Sequence, residues 1–362
     1  MRKHIFNILK ILIFIFVFIS FYYFLTVFKR PSGWNQNNTT GLYAERKNSL
    51  DMVYLGGSAA FVYFDPIHSW QRAGISSYVY GIEGVQAEFY TNMVKEVLEN
   101  QKPKLIVIDA RPFEYRNWDL AKYEQPYRWY LSHLRPSLGR VNFINKLVPK
   151  YLKKSTKSYQ FDLEFYHTNE EQGSIKKTLK IMFDKNKHKT KGFYFHPLVN
   201  KLYREERNTN ELINIHPEAE KILRDLLAYL KERKVKALFV VCPYQQIVKE
   251  KAEYNYIEKI VKEYNQDFLD ANDYIDQMNI DFNYDFMNES HLNVYGAEKY
   301  NDFLTDYLVK NYNLPDRRGE KEYKDDFDSL IPGWKEDVEK TKKEIDVMTK
   351  RKSYEEDIHR RS

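Results

Sequence analysis

Residues 11–28 form an uncharged, mainly apolar run, and this run restricts the possible folds of the chain more than any other feature. As a helix that rises 1.5 Å per residue, the run spans about 27 Å, close to the ~30 Å hydrocarbon core of a bilayer. A signal peptide has a shorter apolar region and a cleavage site of small residues, whereas Lys29, Arg30 and Pro31 follow this run. We therefore predict an uncleaved transmembrane helix within residues 1–30, with a cleaved or buried segment as the alternative.

The basic residues on either side of the run predict its orientation in the plasma membrane. Those ahead of it are Arg2, Lys3, His4 and Lys10, and those behind it are Lys29 and Arg30. Because positive charge is retained on the cytoplasmic side, the denser leading cluster favours an amino terminus inside and a main domain outside the cell. The single cysteine, Cys242, fits an exported protein that does not depend on disulfides.

The composition excludes several classes of function. The chain carries 57 Lys and Arg against 51 Asp and Glu, a net charge of +6 spread along its length, which is not the footprint of a nucleic-acid-binding protein. One cysteine excludes a multi-cysteine zinc site. Neither a phosphate-binding glycine loop nor a dinucleotide-binding motif is present, so we predict no metal and no organic cofactor.

Short apolar runs alternate with amphipathic segments through the middle of the chain. We predict strands at residues 52–55, 78–80, 105–109, 237–241 and 267–270, and helices at about 87–100, 217–233, 246–263 and 296–309. This alternation predicts an α/β domain over residues 51–314, with a parallel sheet covered by helices on both faces.

Three further segments depart from this pattern. Residues 31–50 are polar and predict a stalk, and residues 315–362 form a charge-balanced tail that we expect to be a solvated helix or disordered, with Trp334 as its only large anchor. Residues from about 115 to 212 predict a long basic and aromatic insertion. Its lysines predict a solvated face or a surface for anionic glycopolymer or lipid headgroups; they are Lys150, Lys153, Lys154, Lys157, Lys185, Lys187 and Lys189.

A serine and a histidine are candidates for nucleophilic chemistry. Ser58 follows the first strand on a glycine-flanked turn, where its hydroxyl is presented and backbone N–H groups can stabilise an oxyanion. A serine nucleophile needs a base, and His291 lies in a polar loop ahead of the last helix of the domain. The structural alternatives are a turn serine and a capping histidine. If both lie at strand carboxyl ends, their side chains come within about 2.6–3.2 Å.

Asp109 and Arg111 follow the third predicted strand. They form an ion pair at the strand end, or Arg111 binds a carboxylate or phosphate of an anionic polymer. The sequence leaves both interpretations open.

Three segments resemble the blocks of the SGNH (GDSL-type) hydrolases, in the same order. They are Leu55-Gly56-Gly57-Ser58, Tyr80-Gly81-Ile82-Glu83-Gly84, and Asn288-Glu289-Ser290-His291-Leu292-Asn293 with Tyr295-Gly296-Ala297 after it. With the anchor, the layout is most similar to D-alanyl-lipoteichoic-acid transfer proteins and exopolysaccharide O-acylation proteins. The resemblance implies a three-layer, flavodoxin-like parallel-sheet fold, with Ser58 as nucleophile and His291 as base.

The chain departs from the family pattern at three positions. Gly57 stands where the family has aspartate, and Arg111 lies where the third block has its oxyanion-binding asparagine. The backbone amides of Ser58 and Gly84, helped by Arg111, are then the candidate oxyanion donors, and Gly57 is a further candidate of this oxyanion and substrate-binding group. Asn288 replaces the aspartate that orients the histidine, and the same change in a serine protease lowers kcat about 10⁴-fold. Asp285 is the alternative orienting residue.

The resemblance implies a membrane-anchored extracellular acyl-ester transferase or esterase that acts on an envelope polysaccharide or teichoic acid. Relatives of this layout act beside membrane-bound O-acyltransferases, which makes such an enzyme an expected partner. The alternative is a catalytically inactive scaffold that binds the polymer or the acyltransferase, because Asn288 and the missing third-block asparagine both weaken the site.

Overall fold

The computed structural model describes residues 2–27, 34–114, 124–135, 137–161, 163 and 188–361 of this chain. The protein is a mixed α/β chain with a five-stranded parallel sheet and one apolar N-terminal helix. It divides into two compact units: one is Gly41–Asn117 with Lys187–Ser362, and the other is Met1–Thr40 with Trp118–Asn186. We call the first the sheet unit.

The N-terminal helix, α1, runs over Arg2–Val27. Within it, Lys3–Tyr22 has a mean hydropathy of 2.4 and no buried residue, so it is long and apolar enough to cross a membrane. Phe28, the end of the predicted run, lies outside the described residues.

The parallel sheet has the strand order β2-β1-β3-β4-β5. Its strands are β1 (Met52–Gly56), β2 (Ser77–Gly81), β3 (Leu105–Asp109), β4 (Ala237–Val241) and β5 (Asp267–Asp270), which confirms the predicted strands. The first four are buried along their whole length, as expected of apolar strands covered on both faces. The chain leaves β1 for β2 on one side and then crosses to β3 on the other, and ligands gather at the carboxyl ends of strands at such a reversal.

The helices follow the predicted alternation. They are α2 (Trp34–Ala44), α3 (Ser58–Phe61), α4 (Pro66–Ala73), α5 (Tyr90–Asn100), α6 (Glu124–His133), α7 (Leu138–Leu147), α8 (Thr156–Phe161), α9 (Pro217–Glu232), α10 (Val248–Glu263), α11 (Ile275–Met278), α12 (Val294–Asn311), α13 (Lys321–Asp328) and α14 (Ile331–Arg361). The polar loop predicted around His291 is instead an antiparallel hairpin of β6 (Phe286–Asn288) and β7 (His291–Leu292), because Phe286 and Leu292 are buried.

The segments predicted as stalk and insertion contain helical and buried residues. Trp34–Ala44 is helical, and Leu42 and Leu50 are buried, so residues 34–50 are not a simple polar stalk. The bounds of the insertion, about 115 to 212, stay a prediction, and its part from Lys187 onward belongs to the sheet unit. Lys150, Lys153, Lys154, Lys157 and Lys189 are exposed, whereas Lys185 and Lys187 lie outside the described residues.

The charged tail is helical and packed rather than solvated or disordered. Trp334 is 8% exposed, and it belongs to a cluster with Phe327, Ile67 and Trp70. Trp334 is therefore not the only large anchor of this segment. The error has a physical reason: the apolar positions of α14 recur at helical spacing and form one buried stripe on an otherwise charged helix. The buried members of that stripe are Trp334, Val338, Thr341 and Ile345.

Candidate active site

The serine lies where β1 passes directly into the short helix α3. Gly57 is the N-cap and Ser58 is the first helical residue, so the hydroxyl sits at the carboxyl end of β1. A Cβ on Gly56 would lie only 2.7 Å from the Cβ of Ala60 and 2.8 Å from that of Asp109. Only glycine allows this approach of β3. The Asp109 carboxylate accepts hydrogen bonds from the backbone N–H groups of Arg111, at 3.1 Å, and of Gly57, so it holds the serine turn in place.

The histidine hairpin brings His291 to this serine. The Nε2 of His291 lies 2.6 Å from the Oγ of Ser58, although 233 positions separate the two residues. This distance falls within the range predicted from the sequence. A turn serine and a capping histidine without a shared role would place no constraint on it.

Asn288 occupies the orienting position behind the histidine. Its Oδ1 lies 2.9 Å from the Nδ1 of His291 and accepts a hydrogen bond of 2.9 Å from the backbone N–H of Ser290. A backbone N–H can only donate, so the oxygen of the amide faces this side, and Nδ1 must carry the proton. In the neutral ring Nε2 is then unprotonated and accepts the hydrogen bond from the Ser58 hydroxyl. This is the tautomer that a general base requires.

The surroundings of His291 favour its neutral form. Burial, followed by the positive charge of Arg111 and an electrostatic interaction with His196, lowers the pKa of His291 from 6.5 to about 3. Asn288 brings no negative charge to oppose this shift. The site therefore supplies a correctly oriented base that is neutral well below pH 6, but it does little to stabilise the imidazolium formed when the base takes a proton.

Arg111 reaches the histidine hairpin from the carboxyl end of β3. It is 7% exposed, its Nη1 donates to the carbonyl oxygen of Ser290 at 2.8 Å, and its guanidinium lies 4.8 Å from the ring centroid of Tyr244. Asp109 interacts electrostatically with Arg111, although the described residues form no ion pair of 4 Å or less with this guanidinium. Of the two interpretations that the sequence left open, a direct strand-end ion pair is therefore not formed, and the cation faces the histidine hairpin.

Sequence reasoning missed Tyr63. Its hydroxyl lies 2.9 Å from the carbonyl oxygen of Ser290 and 2.8 Å from that of Pro243, which follows β4. Its ring centroid is 6.5 Å from that of His291. Tyr63 therefore ties the hairpin to the sheet edge, and no local sequence signal could have identified it, because its partners lie 180 and 227 positions away.

Two other predicted site residues lie differently. Asp285 does not contact the imidazole: its Oδ2 accepts from Lys299 Nζ at 2.6 Å and from the backbone N–H of Asp281 at 2.7 Å. These contacts fix the carboxylate away from His291 and correct the alternative role given to it. Gly84 has a φ of +63° in a turn that packs beside Gly57, but the direction of its N–H toward the serine stays a prediction.

Within the part of the chain that the structure describes, no group of three or more His, Cys, Asp or Glu side chains is arranged to hold a metal ion. Compared with protein-family models and with curated proteins, the chain matches none of them.

Proposed function

We propose that this protein is a membrane-anchored, serine-dependent acyl-ester transferase or esterase of the SGNH type. The observation that carries the proposal is the hydrogen-bonded series Ser58–His291–Asn288, with separations of 2.6 and 2.9 Å. A serine hydroxyl, an imidazole in the tautomer of a base and a group that orients the imidazole are the three parts that nucleophilic acyl transfer needs.

In the proposed mechanism, the Oγ of Ser58 attacks the carbonyl carbon of an acyl ester while Nε2 of His291 takes the hydroxyl proton. The proton then passes to the leaving oxygen, and the acyl group stays on Ser58 as an ester. An acceptor hydroxyl or water reverses these steps and releases the serine. The backbone N–H of Ser58, which donates to no other residue in the described ranges, and the nearby cation of Arg111 stabilise the oxyanion.

The topology supports the SGNH interpretation. The strand order β2-β1-β3-β4-β5 is the flavodoxin-like order. Folds with this order bind ligands between the carboxyl ends of β1 and β3. Ser58 follows β1 and Arg111 follows β3, on the two sides of that position. The histidine comes directly ahead of the last long helix of the α/β domain, as the resemblance expects. The absent third-block asparagine leaves Arg111 to supply positive charge there.

The substrate and the location are part of the same proposal. We infer that α1 anchors the chain with its amino terminus inside the cell, and that the sheet unit acts outside on an envelope polysaccharide or teichoic acid. A membrane-bound O-acyltransferase is the partner that would supply the acyl group.

Hydrolysis of p-nitrophenyl acetate by the full chain in detergent micelles tests the chemistry. We expect a burst of p-nitrophenol, the loss of this burst in Ser58→Ala, and a reduction of at least about 10³-fold in His291→Ala. Ser329→Ala is the control. Ser329 is an exposed serine that follows the last residue of α13, 271 positions from Ser58 in the sequence. A wild-type rate equal to that of Ser58→Ala contradicts the proposal.

Asn288 favours a second candidate function, an inactive scaffold that binds the polymer or the acyltransferase. An amide cannot stabilise an imidazolium, and the pKa of His291 is already lowered to about 3. In cells, envelope acylation that survives Ser58→Ala but is lost when residues 124–161 are deleted supports the scaffold. Acylation that is lost with Ser58→Ala supports the enzyme.

A further inference from the structure

One extended segment connects the serine helix to the histidine hairpin. The backbone N–H of Tyr194 donates to the carbonyl oxygen of Phe61 in α3 at 2.7 Å. Six residues later, the N–H of Asn200 donates to the carbonyl oxygen of Phe286 in β6 at 2.8 Å, in an antiparallel bridge. We call residues 194–200 the site strap. Each end of the strap is therefore hydrogen-bonded to one of the two elements that carry Ser58 and His291, namely α3 and the β6–β7 hairpin.

The side chains of residues 193–196 alternate between two sides of the backbone, one of which faces the core. Phe193 is buried and Phe195 packs on two core clusters, whereas the ring of Tyr194 lies edge-on to Phe61, with centroids 6.2 Å apart. In an extended segment, alternate residues share a face, so His196 lies on the side of Tyr194. Their ring centroids are 6.0 Å apart. Pro197 follows His196 and restricts its backbone to extended conformations, which fixes this arrangement.

The imidazole of His196 forms no hydrogen bond within the described part of the chain. Its Nδ1 is buried without a hydrogen-bond partner, and its Nε2 is likewise unbonded but accessible. Burial lowers the pKa of His196, which keeps the ring neutral, and a charge on it would lower the pKa of His291. His196 thus interacts electrostatically with the base, and it lies on the strap that joins α3 to the hairpin of His291. A neutral imidazole has one nitrogen that donates and one that accepts, and a hydroxyl group has the same two capacities.

We propose that His196 binds the hydroxyl of the acyl acceptor beside acylated Ser58, so that the site transfers its acyl group to a sugar or polyol in preference to water. This inference rests on the proposed function and narrows it from esterase to transferase. His196 holds the acceptor oxygen while the Nε2 of His291 takes the acceptor's proton. The new ester bond forms to the acceptor, the bond from the acyl carbon to Ser58 breaks, and the serine oxygen regains the proton from His291.

The test is the partition of the acetyl group between glycerol and water in the full chain, with p-nitrophenyl acetate as donor. His196→Phe keeps an aromatic ring against Tyr194 but removes both nitrogens. We expect the ratio of glyceryl acetate to acetate to fall about tenfold, the worth of one hydrogen bond, while the burst of p-nitrophenol stays within about twofold of wild type. Tyr203→Ala, which changes a side chain that is 75% exposed just beyond the strap, leaves the ratio unchanged.

A second variant keeps the proposal testable if the Phe variant does not fold. His196→Asn restores one donor and one acceptor at shorter reach, and we expect it to raise the KM for glycerol about threefold without altering the burst. An unchanged ratio in His196→Phe, or an unchanged KM in His196→Asn, overturns the proposal. So does a wild type that hydrolyses the donor but never acetylates glycerol. A wild type without any burst contradicts the proposed function itself, and the inference falls with it.

Discussion

Two hydrogen-bonded centres join distant parts of the sheet unit, and only one of them contains a buried carboxylate. At the first, the amide of Asn288 orients His291 toward Ser58. At the second, Asp65 at the start of α4 accepts hydrogen bonds from the backbone N–H of Ile67 at 2.9 Å and from the indole Nε1 of Trp334 at 2.5 Å, 269 positions away. We call the second centre the tail anchor.

The difference separates a structural centre from a reactive one. Both carboxylate oxygens of Asp65 receive fixed donors, so the tail anchor has no atom left for a ligand and serves to hold α14 against α4. At the first centre the partner is neutral, the serine is only half-buried, and its hydroxyl oxygen lies 2.6 Å from a nitrogen that can accept the proton. At the tail anchor, a fully hydrogen-bonded carboxylate stabilises the fold. At the first centre, the uncharged series Ser58–His291–Asn288 lies where a reaction can occur.

The largest expected effect comes from giving the reactive centre the charge that it lacks. Asn288→Asp places a carboxylate 2.9 Å from Nδ1, which stabilises the imidazolium and raises the pKa of His291. We expect kcat for ester hydrolysis to rise by up to about 10⁴-fold, the inverse of the loss in serine proteases. The acid limb of the rate profile, expected below pH 5 in the wild type because the pKa of His291 is about 3, should move to higher pH.

The control for this gain is Asn311→Asp, which adds the same charge at the exposed end of α12. It should change neither kcat nor the acid limb. A variant at position 288 that shows no gain and no movement of the limb would mean that the histidine does not act as a base.

Removing the indole from the tail anchor should cost stability rather than activity. Trp334→Ala leaves a cavity against Trp70 and an unpaired oxygen on Asp65, so we expect the free energy of unfolding in urea to fall by about 3–5 kcal/mol. Trp334→Phe keeps an aromatic ring but loses the N–H, at about 1–3 kcal/mol. Lys335→Ala, on the exposed face, should cost under about 0.5 kcal/mol. A tenfold loss of kcat in folded Trp334→Ala would contradict the purely structural role of the tail anchor.

The smallest expected effect is a change in the pH dependence of stability at the tail anchor. Burial raises the pKa of Asp65 from 3.8 to about 6, so the folded state binds this proton more tightly than the unfolded state. The stability that the protonated group contributes is complete below pH 3.8 and is lost as the pH rises through 6. The free energy of unfolding of the wild type, relative to Asp65→Asn, should therefore fall between pH 4 and pH 7. A constant difference over that range would contradict the shift.

The parts of the fold that the sequence predicts well are those set by local patterns. The strands are recognisable as apolar runs because both faces of the sheet are covered. Ser58 is recognisable because it follows two glycines, Gly56 and Gly57, at the end of β1. His291 was a candidate because it lies ahead of the last helix of the domain, and Asn288 was identified through the resemblance of short blocks. Their meeting followed from the rule that parallel strands end at one edge.

The parts that were mistaken depend on tertiary contacts. The strands β6 and β7 have three and two residues, which is too short to show an alternating pattern. The segment around His291 was therefore predicted as a loop. The net balance of charge in the tail concealed the apolar stripe that begins at Trp334. Tyr63 reaches the site through a partner 227 positions along the chain, and it lies in no motif.

Labelling of Ser58 by a fluorophosphonate tests the central claim most directly. The full chain in detergent micelles is treated with the probe, and the modified peptides are identified by mass spectrometry. Because Nε2 of His291 accepts the Ser58 proton at 2.6 Å, we expect one modified residue, Ser58, with labelling abolished in Ser58→Ala and slowed at least about 10³-fold in His291→Ala. A wild-type chain that stays unlabelled under conditions that fully label a control serine hydrolase would contradict the account.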